Sequence, residues 1–330
     1  MNALVTGGGG FLGGAIVRRL SARGDQVSSL ARSHYPALAV LGVLQHQGDV
    51  ADADAVGKAV AGCEVVFHVA AKAGIWGRYD EFHRANVVGT RNVLDACRRH
   101  GVRRLVYTSS PSVVFDGRDM EGVNESAPYP NHFEAYYPQT KAEAERLVLA
   151  ANGPDLATVA LRPHLIWGPG DNHLIPRIIE RGRAGRLRRI GSASKKIDTI
   201  YIDNAADAHV LAADRLAPGA VIAGKAYFLS QGEPVPTWEF VNRILQAAGV
   251  APVTRSVPLW AAYTAGAALG AWYGLFRIDS EPPMTRFLAR ELATSHWFDI
   301  SAARRDLGYE PKVSIDEGLR RVAIWLRGAA

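Results

Sequence analysis

Ala3-Leu4-Val5-Thr6-Gly7-Gly8-Gly9-Gly10-Phe11-Leu12-Gly13 is the stretch on which the reading of this 330-residue chain turns. A short β-branched run enters a glycine loop, and an amphipathic segment, Leu12–Arg23, leaves it. Gly7 permits the tight turn, Gly10 lets backbone approach a pyrophosphate, and Gly13 lets the helix pack closely on a sheet. At the helix start, where Phe11 and Leu12 lie, unpaired N–H groups and the positive end of the helix dipole favour phosphate.

Outward from this turn, strand-like runs alternate with helical ones. The candidate strands are Ala3–Thr6, Gln26–Leu30, Val43–His46, Glu64–His68, Arg104–Thr108 and Thr158–Leu161. Leu12–Arg23, Phe82–His100 and Ala135–Asn152 carry apolar residues at helical spacing, with Val88, Val93, Leu94 and Cys97 forming one stripe. Such alternation predicts an α/β fold with a doubly wound parallel Rossmann sheet, ligands binding beyond the carboxyl ends of its strands. After Pro163 the regularity breaks at Gly168-Pro169-Gly170-Asp171-Asn172. The expected division is a dinucleotide-binding domain over 1–172, with a return at about 197–217 made by Ile200–Ile202 and a helix from Asn204 to about Leu216. Residues 173–196 and 218–330 then build a smaller, mixed α/β substrate-binding region.

Composition agrees with a globular protein: 48% of residues are hydrophobic and 21% charged, enough for a sizeable core. Cys63 and Cys97 fit no zinc or redox spacing and read as buried, reduced thiols; no metal site is expected. A strand beginning at Asn2 leaves no room for a signal peptide, so the expected location is cytoplasmic. The net charge of +6 comes partly from Arg177, Arg181, Arg183, Arg186, Arg188, Arg189, Lys195 and Lys196. This cluster reads as a solvated helix face, with contact to an anionic substrate or partner as the other reading. It lacks the interleaved aromatics that single-stranded nucleic acid requires, and no nucleic-acid partner is expected.

At the end of the second strand, where NAD-binding units carry an acidic residue for the ribose 2′-hydroxyl, the chain has Leu30-Ala31-Arg32-Ser33. Arg32 can pair with a 2′-phosphate and Ser33 can donate to it, which favours NADP(H). Gly48-Asp49-Val50 follows the third strand; Asp49 either accepts from the adenine amino group or makes a turn and helix cap.

Tyr137-Pro138-Gln139-Thr140-Lys141 sets a tyrosine and a lysine four residues apart on one helix face. A nearby ammonium lowers a phenol's pKa from about 10, which suits Tyr137 to protonating an incipient alkoxide, and Lys141 can reach the nicotinamide ribose. Thr108-Ser109-Ser110, at the end of a strand, can bring a hydroxyl to the same pocket to hold a carbonyl oxygen.

Together, the glycine pattern, Asn86-Val87-Val88-Gly89-Thr90, Tyr107-Thr108-Ser109-Ser110, Tyr137–Lys141 and Arg162-Pro163 resemble the extended short-chain dehydrogenase/reductase superfamily across essentially the whole chain. The resemblance implies Ser110, Tyr137 and Lys141 as catalytic residues, with Ser109 the alternative register for the serine. It implies cofactor contacts at Thr108, Ser109, Ala70, Ala71, Pro163 and Leu165, and a structural or proton-relay role for Asn86, a capping or turn role being the alternative. His164, beside the expected nicotinamide, reads as a structural histidine rather than a proton donor. A homo-oligomer, a dimer, is the expected assembly.

Within the superfamily, Tyr107–Phe115, Tyr136–Lys141 and Arg162-Pro163-His164 resemble the 3β-hydroxysteroid dehydrogenase branch. They are similar above all to its bacterial members of olefin biosynthesis, which implies reduction of the β-keto group of a long-chain, two-tailed 2-alkyl-3-keto acid. A lipophilic substrate suits Ser256–Phe276, an uncharged run holding Leu259, Trp260, Tyr263, Leu269, Trp272, Tyr273, Leu275 and Phe276. It reads first as a buried core helix, and otherwise as a channel wall or a contact with a membrane or pathway enzyme; its many Ala and Gly residues argue against a transmembrane span. Ile75 and Trp76 either add apolar wall or lie in an exposed loop. A steroid dehydrogenase, a sugar-nucleotide epimerase and an NADP(H)-binding sensor are the alternative functions.

Overall fold

The computed structural model describes residues 1–328. Its centre is a seven-stranded sheet made of β1 (Asn2–Thr6), β2 (Gln26–Ala31), β3 (Leu44–Gln47), β4 (Val65–His68), β5 (Arg104–Thr108), β6 (Ala157–Pro163) and β7 (Lys225–Leu229). The order is β7-β6-β5-β4-β1-β2-β3 and every pairing is parallel. Both faces are covered, and the strand residues divide between them by alternation. Val5, Phe67, Val106 and Val159 join Ile16, Val17 and Ala205 in one apolar layer. Leu4, Val66, Leu105 and Ala160 join Val56, Val93, Leu94, Cys97 and Val148 in the other. Both cysteines are free; Cys97 is buried, which pushes its thiol up to about 12, whereas Cys63 is only half-buried.

The six strands read from sequence form within a residue or two of their expected ends, β6 extending to Pro163. Phe82–His100 is a helical run interrupted by a π-turn at Arg84–Val88, and it stops where Gly101 adopts a left-handed φ of 69°. Ile200–Tyr201 pairs with Ile166–Trp167, a short strand within 1–172, and the following helix, Ile202–Arg215, packs against the glycine-turn helix Phe11–Ala22. One expectation about organisation needs correction. The seventh central strand, β7, comes from within 218–330, while Met120–Val123, from within 1–172, joins the four-stranded sheet of the other region beside His296–Phe298.

The apolar segment is also corrected. Leu259–Leu275 is a helix, but only Ala262 and Gly266 are buried, while Trp260, Trp272, Leu275 and Phe276 are exposed. Apolar on every side, it has one contact face, where a side chain at Gly266 would meet the Thr285 backbone 2.6 Å away. No described helix is long and apolar enough to cross a membrane.

Beneath the site, Glu145 of the helix Tyr136–Ala150 is buried against Arg162 of β6 through bonds of 2.6 and 3.0 Å, and Tyr129 Oη donates to the same carboxylate at 2.6 Å. Their pKa values move apart despite burial, Glu145 down and Arg162 up. Glu145→Ala leaves a guanidinium buried without its counter-charge. Chemical denaturation is expected to show a loss of about 3–5 kcal/mol, the usual result of breaking a buried pair from one side.

Candidate active site

The glycine turn is built by exclusion. Gly7 has φ of +73° and its N–H donates to Leu30 O at 2.8 Å, anchoring the turn to β2. A side chain at Gly13 would sit 2.1 Å from Gly7 O, and one at Gly9 would sit 2.2 Å from the Tyr35 ring, so neither position accepts a larger residue as it stands. Gly10 caps the helix Phe11–Ala22 in extended conformation without a side-chain bond, and the first-turn N–H groups of Phe11 and Leu12 have no side-chain partner. Arg32 and Ser33, at the end of β2, are exposed, and Arg32 makes no ion pair among the described residues. A helix end bare of side chains fits the pyrophosphate of a nicotinamide dinucleotide. Asp49 takes the turn role, Oδ1 accepting from Ala51 N at 2.9 Å, while Oδ2 lies 3.6 Å from Arg84; Val50 is buried and its carbonyl accepts from Asn92.

A buried polar chain that sequence reasoning missed locks this turn to the next strand. Thr6 Oγ1 accepts from Val69 N and Ala70 N, each at 3.1 Å, and therefore donates to His68 Nδ1 at 2.9 Å. His68 Nε2 then donates to Thr90 Oγ1 at 3.0 Å, and Thr90 donates to Asn86 O at 2.6 Å. Burial and the nearby Lys141 charge push His68 down to about 3, so it stays neutral. Asn86 clamps the loop after β4, accepting from Lys72 N and donating to Lys72 O and Thr140 Oγ1. Asn86 thereby ties the loop after β4 to Thr140 of the Tyr137 helix. The Ala70 backbone lies 3.1 Å from where a Gly7 side chain would stand.

Tyr137 and Lys141 project from one face of their helix toward the end of β5. Lys141 is buried; its Nζ donates to Thr108 O at 2.6 Å and lies 4.1 Å from the centre of the Tyr107 ring. Burial lowers its pKa to about 7, opposed by the Glu145 charge one turn on. Thr108 Oγ1 donates to neutral His209 at 2.9 Å, since His209 Nδ1 donates to Ala205 O. One expectation fails: the Tyr137 phenol stands above its ordinary pKa, raised by burial and the Glu291 charge and lowered only by the Ser110 hydroxyl. The Lys141 amine is turned to the Thr108 carbonyl and does not offset that burial.

Extended backbone sends adjacent side chains to opposite sides, and this separates the two serines. Ser109 is buried and its hydroxyl has no hydrogen-bond partner among the described residues, whereas Ser110 lines the same cavity as Tyr137 and bonds Ser112 Oγ at 2.9 Å. That cavity, of about 200 Å³, is lined by Gly74, Ile75, Pro111, Phe115, Pro163, His164, Leu165, Phe287, Glu291, His296 and Phe298 besides. Leu165 holds a left-handed φ of 44°, a strained position for a side chain with Cβ, at the end of β6. His164 donates to His296 at 3.1 Å, and burial drives it well below its ordinary pKa, as a neutral structural group. Trp76 is neither cavity wall nor free loop: its Nε1 donates to Ile278 O at 3.1 Å and its ring meets Tyr273 edge-on. Tyr136 is exposed. No residue of the arginine cluster lines the cavity; Arg177 pairs with Glu281 and Lys195 with Asp119. Glu291 and His296 carried no sequence signal, because more than 150 residues separate them from Tyr137 along the chain.

A parallel sheet with a glycine turn at its first strand and a tyrosine–lysine helix at its fifth defines an oxidoreductase of the extended short-chain dehydrogenase/reductase class. Residues 4–259 match the model of the 3-beta hydroxysteroid dehydrogenase/isomerase family, and the chain belongs to that family. It is 57% identical to a 2-alkyl-3-oxoalkanoate reductase of Stenotrophomonas maltophilia, covering 98% of both chains, and 50% identical to one of Shewanella oneidensis, covering 97% of this chain and 85% of that one. Among solved structures it is similar to MoeE5 in complex with UDP-glucose and NAD, with a TM-score of 0.76, 25% identity and coverage of 100% and 99%.

Proposed function

We propose that this protein reduces the β-keto group of a long-chain 2-alkyl-3-keto acid to the 2-alkyl-3-hydroxy acid, with NADPH as the reductant. The observation that carries the reading is the cavity itself. Tyr137 and Ser110 meet there among Phe115, Phe287, Phe298 and Leu165, with no arginine or lysine in its lining, a wall suited to alkyl substituents and unsuited to a sugar diphosphate. The names of the two reductase relatives support it.

NADPH, when bound, supplies the hydride. The Tyr137 hydroxyl donates its proton to the carbonyl oxygen, and Ser110 donates a hydrogen bond to that oxygen as it gains charge. Held protonated by burial, Tyr137 enters the reaction as the acid. Lys141 holds the nicotinamide ribose, and the Gly7–Gly13 turn with Phe11 and Leu12 holds the pyrophosphate. A cavity of about 200 Å³ is on the order of seven water volumes at about 30 Å³ each, room for the reacting head. The tails then leave past Gly74 and Ile75 toward the exposed apolar helix.

For homologous 2-alkyl-3-keto acids assayed below micelle formation, kcat/KM should climb with tail length, each buried methylene contributing about 0.8 kcal/mol. Tyr137→Phe should lower the rate about 10²–10⁴-fold while NADPH still binds. A flat length profile, or turnover confined to sterols or nucleotide sugars, rejects the reading.

Arg32 is our candidate for recognising the 2′-phosphate. NADPH is then preferred over NADH, and Ala31→Asp combined with Arg32→Ala reverses the preference. Equal kcat/KM for the two cofactors in the unmodified enzyme rejects the assignment.

The helix Leu259–Leu275 is proposed to rest on an anionic lipid surface. Trp260, Trp272, Leu275 and Phe276 present apolar area, and the strand pairing of Ser256–Val257 with Arg189–Ile190 brings the arginine-rich run to the helix start. Sedimentation with phosphatidylglycerol vesicles should retain the protein, salt should weaken the retention, and Trp260→Ser with Trp272→Ser should abolish it. Equal retention by the double variant overturns this placement. A dimer remains our proposal for the assembly, read by light scattering.

A further inference from the structure

The proposed substrate brings a carboxylate into a cavity that has no cation to meet it. Neither the arginine cluster nor any other arginine or lysine lines the wall; Lys141 lies outside it, donating to the Thr108 carbonyl. The wall does hold a carboxyl group. Glu291, on the helix Arg286–Ala293, faces the space shared by Tyr137 and Ser110, among Phe115, Phe287 and Phe298. Its side chain makes no ion pair or hydrogen bond among the described residues, although its neighbour Arg290 pairs with Glu134 and stacks on Tyr263. Two carboxylates cannot share an apolar cavity, whereas an acid and a carboxylate can share one proton.

We propose that Glu291, as the neutral acid, donates a hydrogen bond to the substrate carboxylate and so selects β-keto acids over their neutral analogues. This rests on the reading of the reaction given above.

The surroundings keep the acid form. Burial alone pushes the Glu291 carboxyl up to about 7. The titratable groups facing it are neutral: Tyr137 is held protonated, and both histidines are pushed down by burial. Hydrogen bonds fix the order of protons behind it. His296 Nε2 donates to Glu291 O at 2.8 Å, so His296 Nδ1 accepts from His164 Nε2, and neither imidazole has a proton free to replace that of Glu291. From the elements packed on its helix, Tyr263 faces Arg290, and Arg189 lies on the adjacent strand without acting on the Glu291 charge. A neutral Glu291 also spares Tyr137 a nearby negative charge, which would add to burial in holding its proton.

The test compares a 2-alkyl-3-hydroxy acid with its methyl ester, oxidised by the enzyme with NADP⁺ between about pH 6 and pH 9. The ester serves as internal reference, because any titration of Lys141 affects both substrates and cancels in the ratio. In the unmodified enzyme the acid-to-ester ratio of kcat/KM should fall about tenfold per pH unit above the midpoint near 7, through KM of the acid. Glu291→Gln, a donor at every pH, should flatten the profile. Glu291→Ala should lower the ratio about 10–100-fold near pH 6, the scale of a hydrogen bond to a charged group. A ratio independent of pH in the unmodified enzyme, or unchanged in Glu291→Ala, overturns the assignment and leaves the reaction intact. An enzyme that turns over neither acid nor ester overturns both.

Discussion

The arrangement of the site depends on burying one ammonium. Lys141 lies between its helix and β5 at 2% exposure, and an unpaired charge there is worth several kcal/mol of destabilisation. The Thr108 carbonyl accepts its hydrogen bond, the Tyr107 ring offers its negative face, and Glu145 supplies a carboxylate one turn along. Each partner pins the helix to the sheet: Thr108 and Tyr107 belong to β5, and Glu145 is held by Arg162 of β6. With the helix fixed in this way, Tyr137 one turn earlier can only emerge beside Ser110 at the sheet's carboxyl edge.

The nucleotide half is registered by a different device. No charge is buried at its centre; neutral His68 links the end of β1 to the π-turn through Thr6 and Thr90. That chain closes on Asn86, which reaches Thr140 on the helix that carries Tyr137, so the glycine turn and the tyrosine share one continuous polar network. A buried network with every donor and acceptor matched is rigid, since each lost bond strands its partner in a low-dielectric interior. The two halves of a hydride-transfer site must hold their spacing within tenths of an ångström, and this is the part of the molecule equipped to do so.

The side that carries the exposed apolar helix is held by fewer contacts. The helix Leu259–Leu275 buries only two of its residues, yet it abuts Arg286–Ala293, which carries Phe287 and Glu291 into the cavity. Trp76 ties the loop that bears Ile75 to the far end of the same helix. The exposed apolar surface and the reacting cavity are therefore mechanically adjacent, on elements with few strand hydrogen bonds to restrain them.

Local pattern was enough for what depends on local pattern. Alternating runs predicted six of seven parallel strands, glycine spacing located the turn, and a four-residue interval placed Tyr137 and Lys141 on one face, because periodicity and steric need are written within a few residues of each other. The short strand Lys225–Leu229 escaped because its place beside β6 is set by pairing across more than 60 residues. Ser256–Phe276 reads first as core, with a channel wall or a contact surface as the other readings, because hydrophobicity states a preference for burial, while only the packed chain shows whether anything covers the helix. The direction of the Tyr137 pKa shift, the role of Asn86 and the presence of Glu291 and His296 were likewise decided in three dimensions. Each depends on which groups meet across distant elements in a low-dielectric interior, and no spacing along the chain encodes that meeting.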